Sequence, residues 1–460
     1  MVPHPPIILP EVGRGEEEKI RATTEAYEQA AEMIAHLSPE VLLIASPHSI
    51  LYGDYFHISP GRGATGSMKA FRAPEVKFSV TYDEELVREI TKKAEQAGIS
   101  AGPLGDREPA LDHGTMIPLY FLGKKMDLSR VSVVRISLSG FSLEDHYRFG
   151  KCIKEAVNAL GRKAAFIGSG DLSHKCRAEG PYGFAPEGPE YDRRIMEVMG
   201  AAAFDRLFDF DEVFLDKAAE CGHRAFTIMA GALDGMALET RQLSHEDTFG
   251  VGYGVCTYRV TGEDDGRKMI NAFEQRRKAH IEELKERADA YVRLARASLE
   301  SYVRTGEVLK LENYDGEVPE EMLTRQAGAF VSLHRHGQLR GCIGTIGPTA
   351  ENVAEEIIQN AVSAAVRDPR FFPVQIPELD DLEISVDVLG ETEPIGSTDE
   401  LDVKRYGVIV SCGAKRGLLL PNLDGVDTIE EQVRIAREKG GIREGEPGIR
   451  YERFEVVRHY

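Results

Sequence analysis

No tryptophan occurs among the 460 residues, and no two of the six cysteines form a CxxC pair. Cys152, Cys176, Cys221, Cys256, Cys342 and Cys412 are scattered singly. That spacing excludes a zinc ribbon or a dense disulfide framework, and it fits a reducing cytoplasm. Positive charge is also scarce: 56 Lys and Arg stand against 76 Asp and Glu, for a net charge of −20. A nucleic-acid footprint needs a basic patch, and an anionic membrane surface attracts one, so neither partner is expected. No apolar run is long enough to span a bilayer, and no signal peptide precedes His4. No GxSxG elbow supports a serine hydrolase. Nothing has the spacing of a nucleotide-binding loop, and no internal repeat or low-complexity segment is present. What remains is a chain with 42% hydrophobic and 29% charged residues. Such a chain is globular, buries a sizeable core and divides into two or three domains.

The amino terminus lacks something as well. His4 stands in Met1-Val2-Pro3-His4-Pro5-Pro6 with no strand ahead of it to hold it. This reading favours a true start further upstream.

From residue 16 the pattern becomes regular. Helical spacing covers 16–37, 83–97 (closed by Gly98), 143–160, 190–208, 211–220 and 224–238. The continuous apolar run at 41–45 has the texture of a strand buried on both faces, 131–136 and 164–167 read as further buried strands, and 250–255 leads a last strand. Strands alternating with helices predict an α/β domain over residues 1–262, a mostly parallel sheet with helices on both faces. A charged linker follows at 263–274, and one long helix over 268–304 is expected to open the second domain, 275–460. There, paired strands alternate with helices: 329–333 and 339–345 around a turn at 334–338, a helix at 351–366, strands at 382–389, 408–411, 417–420 and 451–457, and a helix at 428–439. This predicts a smaller α+β fold.

Four histidines share one context. His4 in VPHPP, His48 in ASPHS, His113 in LDHGT and His174 in GSGDLSH each sit beside Pro, Gly or Ser at an expected strand-to-loop junction. Such junctions face the crevice at the strands' carboxyl ends. His36, His57, His146 and His245 lack that combination, and His223 follows Glu220-Cys221-Gly222. Two neutral imidazoles and a carboxylate make a facial triad that suits iron(II) and leaves positions open for substrate and dioxygen. Glu220 is the best-placed carboxylate. The two remaining histidines would then serve as a base for the substrate and a donor to bound oxygen. Asp171 is expected to orient its turn rather than to bind. The other reading of all four is that of turn histidines bonded to backbone.

VPHPP, SPHS, LDHGTMIPL, GSGDLSH and the Glu220-Cys221-Gly222 segment resemble the LigB-like proteins, the class III extradiol dioxygenases and their Memo relatives, over about residues 1–260. The resemblance implies that His4, His48 and Glu220 hold iron(II), that His174 is the catalytic base, and that His113 contacts the dioxygen side. It implies an oxidoreductase that cleaves a catechol carbon–carbon bond beside the two hydroxyls. Memo-like proteins carry a cysteine near the third position, so Cys221 is the alternative ligand, with copper or zinc as the alternative metal.

Residues 275–460 resemble the AMMECR family through Leu339-Arg340-Gly341-Cys342-Ile343-Gly344-Thr345, Arg367-Asp368-Pro369-Arg370-Phe371 and Leu418-Leu419-Leu420-Pro421. That family has no settled biochemical activity. Cys342 reads as a packed small residue before it reads as a nucleophile, and His334 and His336 as a solvated turn before a ligand pair. The two domains in one chain resemble protein A of AmmeMemoRadiSam systems. That resemblance implies a Memo-like protein and a radical S-adenosylmethionine enzyme as partners, and a small aromatic or a modified biomolecule as substrate. Specificity is expected from the loops 52–74 and 177–189.

Overall fold

The computed structural model describes residues 1–108, 110–335, 338–423, 425–443 and 445–460. His336 and Gly337, in the expected turn of the second domain, lie outside the described residues. The chain divides into two compact units, Met1–Glu274 and Gln275–Tyr460.

The first unit is built on a five-stranded sheet of β1 (Val41–Ser46), β2 (Gly63–Met68), β3 (Ala73–Tyr82), β4 (Ser132–Ser137) and β5 (Ala164–Gly168). The strand order is β2-β3-β4-β1-β5. The pairs β3–β4, β4–β1 and β1–β5 are parallel, and β2–β3 is antiparallel. Every residue of β1 is buried because both of its faces are covered. Leu42 and Ile44 join Val133 in one core, while Val41, Leu43 and Ala45 join Val134 and Ile136 in the other. The period of two thus divides one apolar run between two helical layers.

The helices that matter for the site are α1 (Arg21–Leu37), α2 (Glu84–Gln96), α3 (His113–Gly123), α4 (Leu143–Ala159), α5 (Glu187–Gly200), α6 (Glu212–Ala218) and α7 (His223–Ala232). Side-chain caps start several of them: Asp83 accepts from the Leu86 amide, Asp112 from Thr115 and Ser142 from Asp145. The expected helix over 224–238 ends at Ala232. It gives way to a long antiparallel hairpin of β6 (Met236–Glu246) and β7 (Tyr253–Glu263). The expected helix over 268–304 is two helices, α8 (Met269–Arg287) and α9 (Ala290–Thr305). Asp289 starts the second by accepting from the Tyr291 and Val292 amides.

The second unit holds two four-stranded antiparallel sheets. In it, Cys342 receives the Ser332 hydroxyl at 3.2 Å, and its own amide donates to Asp368 at 2.9 Å. Burial pushes the thiol above its ordinary range. These contacts suit packing better than nucleophilic attack. Among the described residues, no helix is long and apolar enough to cross a membrane.

Candidate metal centre

His4 has a mooring that its sequence context does not reveal. Val2 pairs in parallel with Ser169, just beyond the end of β5. Its amide donates to the Gly168 carbonyl and its carbonyl accepts from Gly170, both at 3.0 Å. On the other side the Cys256 amide, in β7, donates to the Met1 carbonyl at 3.1 Å. Met1 and Val2 thus pair as a short strand would and deliver His4, 1% exposed, to the carboxyl end of the sheet.

The tautomer of His4 follows from its partners. The Ser169 hydroxyl donates to the Gly114 carbonyl at 2.6 Å, which uses its only proton. Its contact with His4 Nδ1 at 3.0 Å therefore has the imidazole as donor. Nε2 is left with its lone pair, 2.9 Å from His48 Nε2 and 3.6 Å from Cys221 Sγ. This is the outer-shell arrangement that fixes a metal-ligating imidazole. The Asp171 carboxylate accepts from the His4 amide at 2.7 Å and so holds the other side of the same residue.

His48 leaves the end of β1, and its amide donates to Ser46 Oγ at 3.2 Å. His113 is not at a strand end as expected. It is the first residue of α3, immediately after the capping Asp112. Its ring stacks on His48 at 4.1 Å between centroids and meets His4 edge-on at 5.2 Å. Ligand atoms of His4, His48 and His113 all lie within 4.8 Å of one another.

Asp112 locks this group together. It accepts from Ser46 Oγ at 2.6 Å and from the Thr115 amide at 2.9 Å. It also meets Arg135 at 2.8 Å, whose side chain is fully buried in β4. Arg135 and the hydroxyls hold the carboxyl below its ordinary range although burial pushes the other way. Sequence reading missed Asp112, Arg135 and Ser169. For Asp112 a signal existed: Asp three residues before Thr at a helix start is a cap pattern.

Burial favours the neutral form of all four imidazoles. Burial lowers His4 far below its usual value, helped by the three neighbouring rings, and brings His113 down to about 4. His48 and His174 are lowered chiefly by burial as well. Neutral imidazole is the form that ligates a metal or accepts a proton. His174 sits in the turn after β5, whose Ser173 donates its amide to the buried Asp192 at 2.9 Å and its hydroxyl to the Ala218 carbonyl at 2.7 Å. His48, His113, His174 and Asp171 line one cavity of about 800 Å³.

Ala219, in a left-handed backbone (φ 53°), ends α6, and the Glu220 and Cys221 side chains that follow go to different partners. The Glu220 carboxylate accepts the His223 amide at 2.6 Å and so satisfies the first amide of α7. Burial pushes it up to about 7. It is not among the groups that converge with His4, His48 and His113. Cys221 is the residue that faces them: its sulfur receives the Asp171 amide at 3.3 Å and lies against His4. Gly170 and Gly222 make this approach feasible, since a Cβ on Gly170 would stand 2.0 Å from the Gly222 Cα. The expected ligand trio of His4, His48 and Glu220 is therefore not assembled here. The assembled groups are His4, His48 and His113, with Cys221 beside them.

Comparison with known proteins agrees with this two-unit organisation. Residues 1–256 match the model of the catalytic LigB subunit of aromatic ring-opening dioxygenase, and residues 292–459 match AMMECR1. A Clostridium acetobutylicum protein is 42% identical over all of this chain and 98% of its own length. A Thermotoga maritima protein is 52% identical over 37% of this chain and 96% of its own length. Among solved structures, an uncharacterized Pyrococcus horikoshii protein is 31% identical over 36% of this chain and 88% of its own, with a TM-score of 0.34. The chain belongs to the family of the catalytic LigB subunit of aromatic ring-opening dioxygenases, with an AMMECR1 domain following in the same polypeptide.

Proposed function

We propose that the first unit is a non-haem iron(II)-dependent oxygenase of the extradiol type, acting on a catechol-like or other aromatic substrate. The observation that carries this reading is the convergence of three neutral imidazoles at a cavity that also holds a fourth, His174. In this proposal His4, His48 and His113 hold the metal. When bound, iron(II) supplies one electrophilic centre at which catechol oxygens and dioxygen are brought side by side. His174, neutral and outside the converging trio, takes the proton from a substrate hydroxyl at an imidazole nitrogen. Ser169 keeps the His4 lone pair on Nε2, and Asp112 keeps His48 and His113 in register. Anaerobic iron(II) loading followed by nitric oxide is expected to give a high-spin iron-nitrosyl signal that catechol perturbs, and His48→Ala is expected to lose it. A wild-type protein that retains no iron, or a variant that retains it equally, sinks the proposal.

Cys221 favours a second reading, a metal-binding or adaptor protein of an AmmeMemoRadiSam modification system without ring cleavage. A cysteine sulfur beside three imidazoles, once deprotonated by a bound metal, suits copper(I) or zinc better than an oxygen-activating iron. In that reading the AMMECR1 domain docks a Memo-like protein or a radical S-adenosylmethionine enzyme. Cobalt(II) separates the two. If the sulfur binds, an intense near-ultraviolet sulfur-to-cobalt band is expected in the wild type and absent in Cys221→Ser. Without the band in the wild type, the adaptor reading loses its chemical basis.

A further inference from the structure

We infer that the cavity is built for a catechol carrying a second aromatic ring beyond the reacting one, and that Tyr182 is the residue that stacks on that second ring. The inference rests on the oxygenase reading above and names its substrate class.

Size is the first observation. A cavity of about 800 Å³ falls in the upper part of the ~300–1,000 Å³ range of sites that hold drug-sized ligands. One six-membered ring with two hydroxyls leaves most of it empty. The lining is the second. Beyond the histidines, Pro5, Ile7, Phe71, Phe249 and Tyr253 give the wall a broad apolar and aromatic part, beside the polar Asp171, Arg177, Glu179 and Thr248. The aromatic part of such a wall offers ring faces and edges to a flat apolar body.

The third observation is how Tyr182 is carried. Its ring lies on His174 at 5.1 Å between centroids with 25° between planes, yet the residue is 61% exposed. One face covers the proposed base, and the rest of the ring stands open at the cavity. The loop that presents it is pinned at its base. Cys176 bridges Phe184, the Cys176 amide donates to the Gly250 carbonyl at 3.0 Å, and Arg177 pairs with Asp247 at 2.5 Å. Two glycines complete the anchor: a Cβ on Gly180 would stand 2.9 Å from the Gly250 Cα. A rigidly carried, exposed aromatic beside a reacting group offers stacking area at little cost in conformational entropy. It is a specificity-determining residue rather than a catalytic one.

The test compares catechol with 4-phenylcatechol by anaerobic calorimetric titration into the iron(II)-loaded full chain. The wild type is expected to prefer the two-ring ligand by about tenfold, the scale of one aromatic stack plus the burial that accompanies it. Tyr182→Ala is expected to reduce that preference to about twofold, and Tyr182→Phe to keep it. A wild-type preference near one, or a preference that survives Tyr182→Ala, overturns the inference while leaving the oxygenase reading intact. If neither ligand binds the iron-loaded wild type, the oxygenase reading fails and takes this inference with it.

Discussion

Replacing Asp112 by alanine is expected to destabilise the first unit by about 3–5 kcal/mol, because it strands a buried charge. The Arg135 side chain is fully buried, and Asp112 is its buried counter-ion at 2.8 Å; the second acidic partner, Glu108, is 40% exposed. Alanine leaves the guanidinium without the charge that compensates its burial. It also removes the partner of Ser46 Oγ and the cap of α3. For a unit of this size the loss corresponds to a fall in its melting temperature of roughly 6–20 °C. With no tryptophan in the chain, far-ultraviolet circular dichroism is the suitable probe, and only the transition of the first unit should move. A diagnostic comparison follows from the same physics. Asp112→Ala combined with Arg135→Met should be less damaging than Asp112→Ala alone, because no orphan charge remains. A single variant within about 1 kcal/mol of wild type would show that water reaches Arg135 and that the pair is not buried in solution.

Substituting Gly170 by alanine should damage the metal centre without touching any side chain that lines it. The added methyl would stand 2.0 Å from the Gly222 Cα and 2.9 Å from its nitrogen, and neither is the flexible end of a side chain. Overpacking of this kind costs about 1–3 kcal/mol or more, and relief requires the turn after β5 to part from the Cys221 segment. Gly170 holds Val2 through its amide, and its neighbour Asp171 holds the His4 amide, so both anchors of His4 shift with it. Metal affinity, read by chelator competition with zinc or cobalt, is expected to fall at least as far as the ~10–100-fold typical of losing an outer-shell partner. Gly262→Ala, where a Cβ meets nothing within 4 Å, serves as the control and should be silent. Unchanged affinity in Gly170→Ala would mean that His4 does not depend on this turn.

The α/β character of the first unit was legible because β1, β4 and β5 are nearly unbroken apolar runs, and only a sheet covered on both faces buries such runs. The last strand was legible from its start near 250–255, but β6 gave no such signal: it is mostly partly buried or exposed, so composition there resembles loop or helix. The break at Asp289 was missed because apolar spacing continues through it, although Asp ahead of a helical run is itself a start signal. The histidines announced themselves through flanking Pro, Gly and Ser. Their supports did not. Arg135 sits in the apolar run Val131–Ile136, and its partner lies on a different element, so nothing local shows that the charge is matched. The choice between Glu220 and Cys221 turns on which neighbours each side chain meets, and residue spacing carries no information about that for two adjacent residues.

The pairing of Val2 with Gly168 and Gly170, and of Met1 with Cys256, also has a kinetic consequence. The partners of Val2 are made only at the end of β5, and the partner of Met1 only in the last strand of the unit. With synthesis at about 5–20 residues per second, Met1 waits roughly 10–50 s for Cys256. Contacts of such sequence separation form late in folding. The contacts that seat His4 are therefore among the most non-local in the unit.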